Sequence, residues 1–254
     1  MQVFRYDKSF DGLLTAVFDA FNRKVYPEML LAEGDIEPLF ASDIFDVVTD
    51  TEKSKRVWNG LKKKLMSVSR NMLGYVWLSE EEGSDMVIFR YIRKVFESQH
   101  SIEMNFADDD VLAVRSVAKR VNTEKHRMIE FVRFQKAADN LYFAAIAPDT
   151  NCLPLITSHF KERFADQQWI IYDTGRNYGF HYDLRNITEV TFDNDMLFRG
   201  GRLDEKLMAE DEKLFQKMWK AYFKSLTIKE RINPKLQRQH LPQRYWKYLT
   251  EMQG

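Results

Sequence analysis

Residues 141–173 read LYFAAIAPDTNCLPLITSHFKERFADQQWIIYD, a strand pattern, a helix and a second strand pattern in succession. The run 141–147 is apolar and of strand length, and Pro154 sits where the first turn of a helix tolerates a missing N–H. Leu155, Ile156, Phe160 and Phe164 follow as a helical apolar stripe, and residues 169–173 return to a strand pattern. Upstream, residues 127–134 form a second apolar and aromatic run, parted from 141–147 by a turn-rich spacer, which predicts a hairpin. Downstream, 179–183 and 187–192 read as further strands, with turns at 174–178 and 193–195. Leu214, Phe215, Met218, Trp219, Tyr222, Phe223 and Leu226 predict one packed face of a long helix. Pro234 then interrupts, and Pro242 opens a short terminal helix with Tyr245, Trp246 and Leu249.

Toward the N-terminus the period is mostly helical. Residues 2–6 alternate as a strand, and Phe10, Leu13, Leu14, Val17, Phe18 and Phe21 follow at helical spacing behind Ser9 as N-cap. Val57, Trp58, Leu61, Leu65, Val68 and Met72 predict a single amphipathic helix, and Ile88, Phe89, Ile92, Val95 and Phe96 predict another. Asp108, Asp109 and Asp110 open a fourth, where the helix dipole favours anions, with Val111, Val114, Val117, Ala118 and Val121 as its apolar face. The expected class is α+β. Residues 1–122 are read as a mainly helical region with an N-terminal strand. Residues 123–254 are read as an α+β domain, a small mostly antiparallel sheet with packed helices and basic C-terminal helices.

The 254 residues are 44% hydrophobic and 14% aromatic, which excludes a disordered chain. The one cysteine, Cys152, excludes a disulfide framework and every all-cysteine metal site, and is read as a buried small hydrophobe. Five scattered histidines form no metal-ligand pair, so no metal and no cofactor are expected. Arg5, Asp7 and Lys8 interrupt the segment where a signal peptide carries its apolar core, so the expectation is a cytoplasmic protein without membrane attachment.

The net charge of zero is divided into blocks. Residues 25–50 hold seven acids and no Lys or Arg, and residues 53–70 hold seven basic residues and no acid. Residues 213–247 hold ten basic residues against Glu230 alone. Lys213, Lys217, Lys220 and Lys224, spaced 4, 3 and 4, fall on one side of the long helix and could track a phosphate backbone. Arg231, Lys235, Arg238, His240 and Arg244 extend the charge, with Gln237, Gln239 and Gln243 able to donate to phosphate or base edges. Tyr245 and Trp246 could stack on a base or anchor the terminal helix. A solvated lysine face over a helix with its other side in the core is the plain alternative. A second constellation gathers His159, Arg163, Asp173, Arg176, His181 and Asp183. A carboxylate orienting a histidine beside an arginine could bind phosphate or act in acid–base work, with His159 and Asp173 as catalytic candidates. The plain alternative is a near-core histidine and a turn closed by aspartates around Arg176.

Phe131-Val132-Arg133-Phe134, Leu153-Pro154-Leu155, His159-Phe160, Arg163-Phe164, Trp169–Asp173, Arg176, Gly179 and Tyr182-Asp183 follow one another as in a bacterial family assigned to DNA metabolism. Glu230-Arg231, Asn233, Lys235-Leu236-Gln237, Leu241-Pro242, Arg244-Tyr245-Trp246 and Leu249 resemble that family's closing signature, and Val3–Asp7 with Phe10, Leu13 and Ala16 its opening. The resemblance implies an association with DNA repair. Such proteins are encoded beside a radical S-adenosylmethionine (radical SAM) protein of DNA repair, and domains like the C-terminal half occur fused to uracil-DNA-glycosylase-like domains. It carries no catalytic role. Its recurrent polar positions fall here on Arg133, His159, Arg163, Asp173, Arg176, Asp183, Arg231, Asn233, Gln237, Arg244 and Tyr245. Ile129-Glu130 and His181 depart from the family pattern, which makes His181 a poor choice for an essential base. The leading expectation is a DNA-binding accessory protein working with a radical SAM partner. The alternatives are a DNA-acting glycosylase or nuclease using His159, Asp173, Arg163 and Arg176, and a protein–protein scaffold in which the acidic 25–50 block pairs with the basic 53–70 block.

Overall fold

A computed structural model describes residues 1–41, 43–192, 198–199 and 202–253, and the turn expected at 193–195 lies outside them. The chain is α+β and divides into two compact units, Met1–Asn122 and Thr123–Gly254.

The first unit begins with β1 (Gln2–Tyr6) and α1 (Phe10–Arg23), whose N-cap Ser9 accepts from the Gly12 N–H. It then departs from the expectation of one strand followed by helices. β2 (Met29–Ala32) and β3 (Asp43–Asp46) flank β1 in a parallel sheet of order β2-β1-β3. Both added strands lie within the acidic 25–50 block. The acids of β3 conceal its strand character because one of them serves the sheet: Asp46 stands in register beside Arg5 and takes its Nε at 2.6 Å. That bond holds the Asp46 carboxyl below its ordinary range.

The helix expected through residues 57–72 is two helices, α2 (Thr51–Lys64) and α3 (Ser67–Trp77). Tertiary partners fix the break: the Met66 N–H donates to Glu103 at 3.0 Å and Arg70 donates to the Leu65 carbonyl at 2.6 Å. α4 (Ser84–Glu97) presents Ile88, Phe89 and Ile92 to a core shared with Phe4, Leu13, Leu61 and Leu73. The basic 53–70 block is largely absorbed within this unit. Lys53 pairs with Asp19, Lys55 with Glu52, and the Lys64 ammonium donates to the carbonyls of Val95, Phe96 and Ser98 at the end of α4. The Lys53 and Lys55 ammonium groups thus pair with acids outside the 25–50 block, while Arg5 takes Glu37 and Asp46 from it.

α5 (Asp109–Phe131) starts as expected, with Asp108 accepting from the Asp110 and Val111 N–H groups, and it runs nine residues past Asn122. Residues 127–131 are thus helix and not strand, because Glu124, Met128 and Val132 recur at helical spacing as buried positions. The expected hairpin shrinks to β4 (Gln135–Lys136) against β5 (Tyr142–Ile146).

The second unit is built on a five-stranded sheet of order β4-β5-β6-β7-β8. β5 is joined through α6 (Leu153–Arg163) to β6 (Trp169–Asp173), which lies parallel to it; every other pairing in this sheet is antiparallel. Trp169 and Ile171 point to the α6 side, with Leu153, Ile156 and Phe160, while Ile170 and Tyr172 point to the other, with Phe143 and Tyr248. β7 (Tyr178–Tyr182) sets Gly179 opposite Tyr172, where a Cβ would stand 2.6 Å from the Ile171 carbonyl oxygen. β8 (Ile187–Val190) closes the sheet, and β9 (Phe198–Arg199) pairs with β10 (Arg202–Leu203).

α7 (Glu212–Leu226) forms where expected but does not pack as expected. Glu212 is its one buried residue, accepting from the Lys136 N–H, while Leu214, Phe215, Met218, Tyr222 and Leu226 are exposed. A 3-10 turn (Lys229–Arg231) and α8 (Pro234–His240) continue it, and every residue from 221 to 240 is exposed. Two further 3-10 turns, Gln243–Tyr248 and Thr250–Met252, bring Tyr245 and Leu249 back into the core.

Candidate nucleic-acid interface

The two constellations expected from sequence have opposite fates. Asp173 ends β6 and has no exposed surface. Its Oδ1 accepts from the Gly175 N–H at 2.9 Å and its Oδ2 from Arg176 Nη1 at 2.9 Å. Arg176 also donates to the Pro148 and Asp149 carbonyls, so it clasps the loop after β5 to the turn after β6. Burial pushes the Asp173 carboxyl above its ordinary range, against the pull of Arg176. A carboxylate so enclosed and so fully engaged closes a turn.

His159 lies half-buried on α6 with its ring against Phe160, and among the described residues its imidazole has no hydrogen-bond partner. Arg163, one turn on, is exposed and lies over Phe164. Among the described residues no hydrogen bond or ion pair joins His159 to Asp173. Asp183 accepts from the Arg185 and Asn186 N–H groups in an exposed turn, and His181 stands between Ile170 and Thr188 on the sheet. The Cys152 thiol is fully buried, and burial pushes it up to about 12.

Glu124, which the sequence reading passed over, gathers two of the recurrent polar positions, Arg244 and Tyr245. Buried on α5, it accepts from the Tyr245 hydroxyl, the Asp149 N–H at 2.9 Å and Arg244 Nη2 at 3.2 Å. Arg244 also pairs with Asp149 at 2.6 Å. Tyr245 is 2% exposed and anchors the terminal turn. Arg133 is likewise engaged, donating to Glu251 at 2.7 Å and lying over the Trp219 ring. The spacing of Val121, Glu124 and Met128 was the available sign that Glu124 faces inward.

The basic arm is different. Lys213 pairs with Glu205 at 2.7 Å, but among the described residues Lys217, Lys220, Lys224, Lys229, Arg231, Lys235 and Arg238 have no ion-pair partner. Lys217 and Lys224 are exposed, Lys220 is half-buried, and Lys213, Lys217 and Lys220 border a cleft of about 560 Å³ against residues 203–208. Asn233 caps α8 by accepting from the Leu236 N–H, and Gln237 reaches the Met252 sulfur at 3.8 Å. From 217 to 238 the arm is therefore a run of cations without ion-pair partners among the described residues, and such a run attracts a polyanion.

Among the described residues no three His, Cys, Asp or Glu side chains converge as metal ligands would. No helix among them is long and apolar enough to cross a membrane.

A family model described as a domain of unknown function, DUF4130, matches residues 82–251. No curated protein matches the sequence. A solved structure, the pGpG-specific phosphodiesterase PggH from Vibrio cholerae, superposes with a TM-score of 0.37 at 11% sequence identity. It covers 88% of this chain and 98% of that one, a likeness too slight to transfer fold or chemistry.

Proposed function

Because the match spans more than half of it, the chain belongs to the DUF4130 family, and we propose that it is a DNA-binding accessory protein that holds a strand on its basic arm for a radical SAM repair enzyme. One observation carries this reading: among the described residues the cations of residues 217–238 have no ion-pair partner and all but the half-buried Lys220 are exposed, whereas Lys53, Lys55 and Lys64 of the 53–70 block and Arg133, Arg176 and Arg244 are engaged by internal partners. Such unpaired cations bind phosphates through counterion release and need no base readout. The resemblance to proteins encoded beside a radical SAM repair protein supplies the partner's class. A glycosylase or nuclease reading has no comparable support, since Asp173 is enclosed and is not joined to His159.

Lysine acetylation footprinting of the full chain, with and without an oligodeoxynucleotide, tests the proposal. Lys217, Lys220 and Lys224 are expected to be protected by the DNA, with Lys62 and Lys63 unaffected. DNA binding that leaves all three arm lysines as reactive as before would contradict it.

A further inference from the structure

We infer that the groove along the other side of α7 is a stacking site for an unpaired nucleobase, so that the strand on the arm is single-stranded; this deepens, and rests on, the nucleic-acid reading above. The groove holds about 660 Å³ and is bounded by Phe134, Tyr142, Met218, Trp219 and Tyr222, with the guanidinium of Arg133 at its wall. Its volume is that of a small-ligand site, and five of its lining side chains are aromatic, with Lys136, Asp211 and Glu212 among the polar ones.

Trp219 is 39% exposed, yet it is not a loose surface side chain. Its indole N–H donates to Glu251 at 2.8 Å, Arg133 stands 5.7 Å from its ring centroid, and Tyr222 lies 5.8 Å away, tilted by 36°. The indole is thus held in place by a buried acid and a cation while much of its surface meets solvent, and Tyr222 beside it is 55% exposed. A pre-positioned indole next to a cation, with a second partly bare ring beside it, forms a platform on which any base can stack.

Charge selects the occupant. An apolar protein surface would fit the rings but would gain nothing from the unpaired lysines that line the opposite side of the same helix. A helix is about 10–12 Å across with its side chains, so a strand crossing α7 passes from rings to ammonium groups within a few nucleotides. Duplex DNA offers its phosphates but keeps its base faces stacked internally, and would leave the groove empty.

The test uses the full chain with an oligodeoxynucleotide carrying one 2-aminopurine, presented single-stranded or paired in a duplex. The single strand is expected to bind at least about tenfold more tightly than the duplex, with 2-aminopurine fluorescence changing on binding. Trp219→Leu and Tyr222→Leu are each expected to lower single-strand affinity about tenfold while the salt slope stays unchanged, since neither removes a cation that neutralises a phosphate. Because Trp219 also ties α7 to Glu251, Tyr222→Leu, whose hydroxyl has no partner among the described residues, is the decisive variant. Equal binding of both forms, unaltered by Tyr222→Leu, would overturn the stacking site and leave the arm reading intact. No salt-dependent binding of either form would overturn both. A chain that dimerises through this face, loses the dimer in Tyr222→Leu and leaves 2-aminopurine unperturbed would place a second copy in the groove and overturn the inference.

Discussion

Three buried carboxylates, Glu124, Asp173 and Glu251, each meet an arginine, and together they account for Arg133, Arg176 and Arg244, three of the arginines that looked DNA-binding in the sequence. Their stability consequences follow from burial. Asp173→Asn keeps the shape of the turn but leaves the Arg176 guanidinium without its counter-charge, and a loss of about 3 kcal/mol is expected in urea unfolding. If His159→Ala or Asp173→Asn instead abolished a nucleic-acid product at unchanged stability, the structural assignment would fail. Glu251 gives a pH signature. Burial raises its carboxyl, but the bonds from Arg133 and Trp219 outweigh this and hold it below the ordinary glutamate range. A lowered folded-state value means that its contribution is complete above the ordinary value of about 4.3 and is lost as pH falls through the lower, folded one. Glu251→Gln is therefore expected to cost about 1–3 kcal/mol at pH 7, with its gap from the native chain closing below about pH 4. A gap independent of pH would show that the carboxylate charge is not what stabilises the turn. These roles were not legible in the sequence, because a recurrent Arg or Asp looks the same whether its partner is a phosphate or a buried acid far along the chain.

Where the hydrophobic period was clean, the elements were legible. β1, α1, α4, α6 and β6 lie at or near their expected positions, since each carries its apolar residues at one unbroken spacing. Misreadings arose where a tertiary partner overrode the local pattern. β2 and β3 were hidden because strands of four residues among seven acids show little alternation, and Arg5 alone reveals why Asp46 belongs there. The chain around Phe131 to Phe134 has strand-like composition, yet α5 persists to Phe131 because Met128 is buried at helical spacing from Val121. α7 inverts the usual rule, for its apolar stripe reads as core and lies in solvent. Leu226→Ser is accordingly expected to change stability by no more than about 0.5 kcal/mol, whereas Leu249→Ala, in the fully buried terminal turn, costs about 2–5 kcal/mol. Equal losses in chemical denaturation would mean that the α7 face is packed in solution.

For the whole molecule, a net charge of zero conceals an uneven distribution of ion pairs. The first unit engages Lys53, Lys55 and Lys64 of its basic block internally, while the second carries a cationic arm with no ion-pair partner among the described residues from 217 to 238. Sequence blocks alone could not tell these two fates apart, because both are dense in lysine; only the positions of Asp19, Glu52 and the α4 carbonyls distinguish them. The salt dependence of binding to a single-stranded oligodeoxynucleotide, compared between the native chain and Lys217→Gln/Lys220→Gln/Lys224→Gln, tests the claim for the arm most directly. The native slope of log K against log salt is expected to be steep, and the variant's shallower by about 0.7 for each phosphate no longer neutralised, up to about 2 in all, at unchanged stability. A native chain that does not bind at low salt, or a variant with the native slope, would contradict the account.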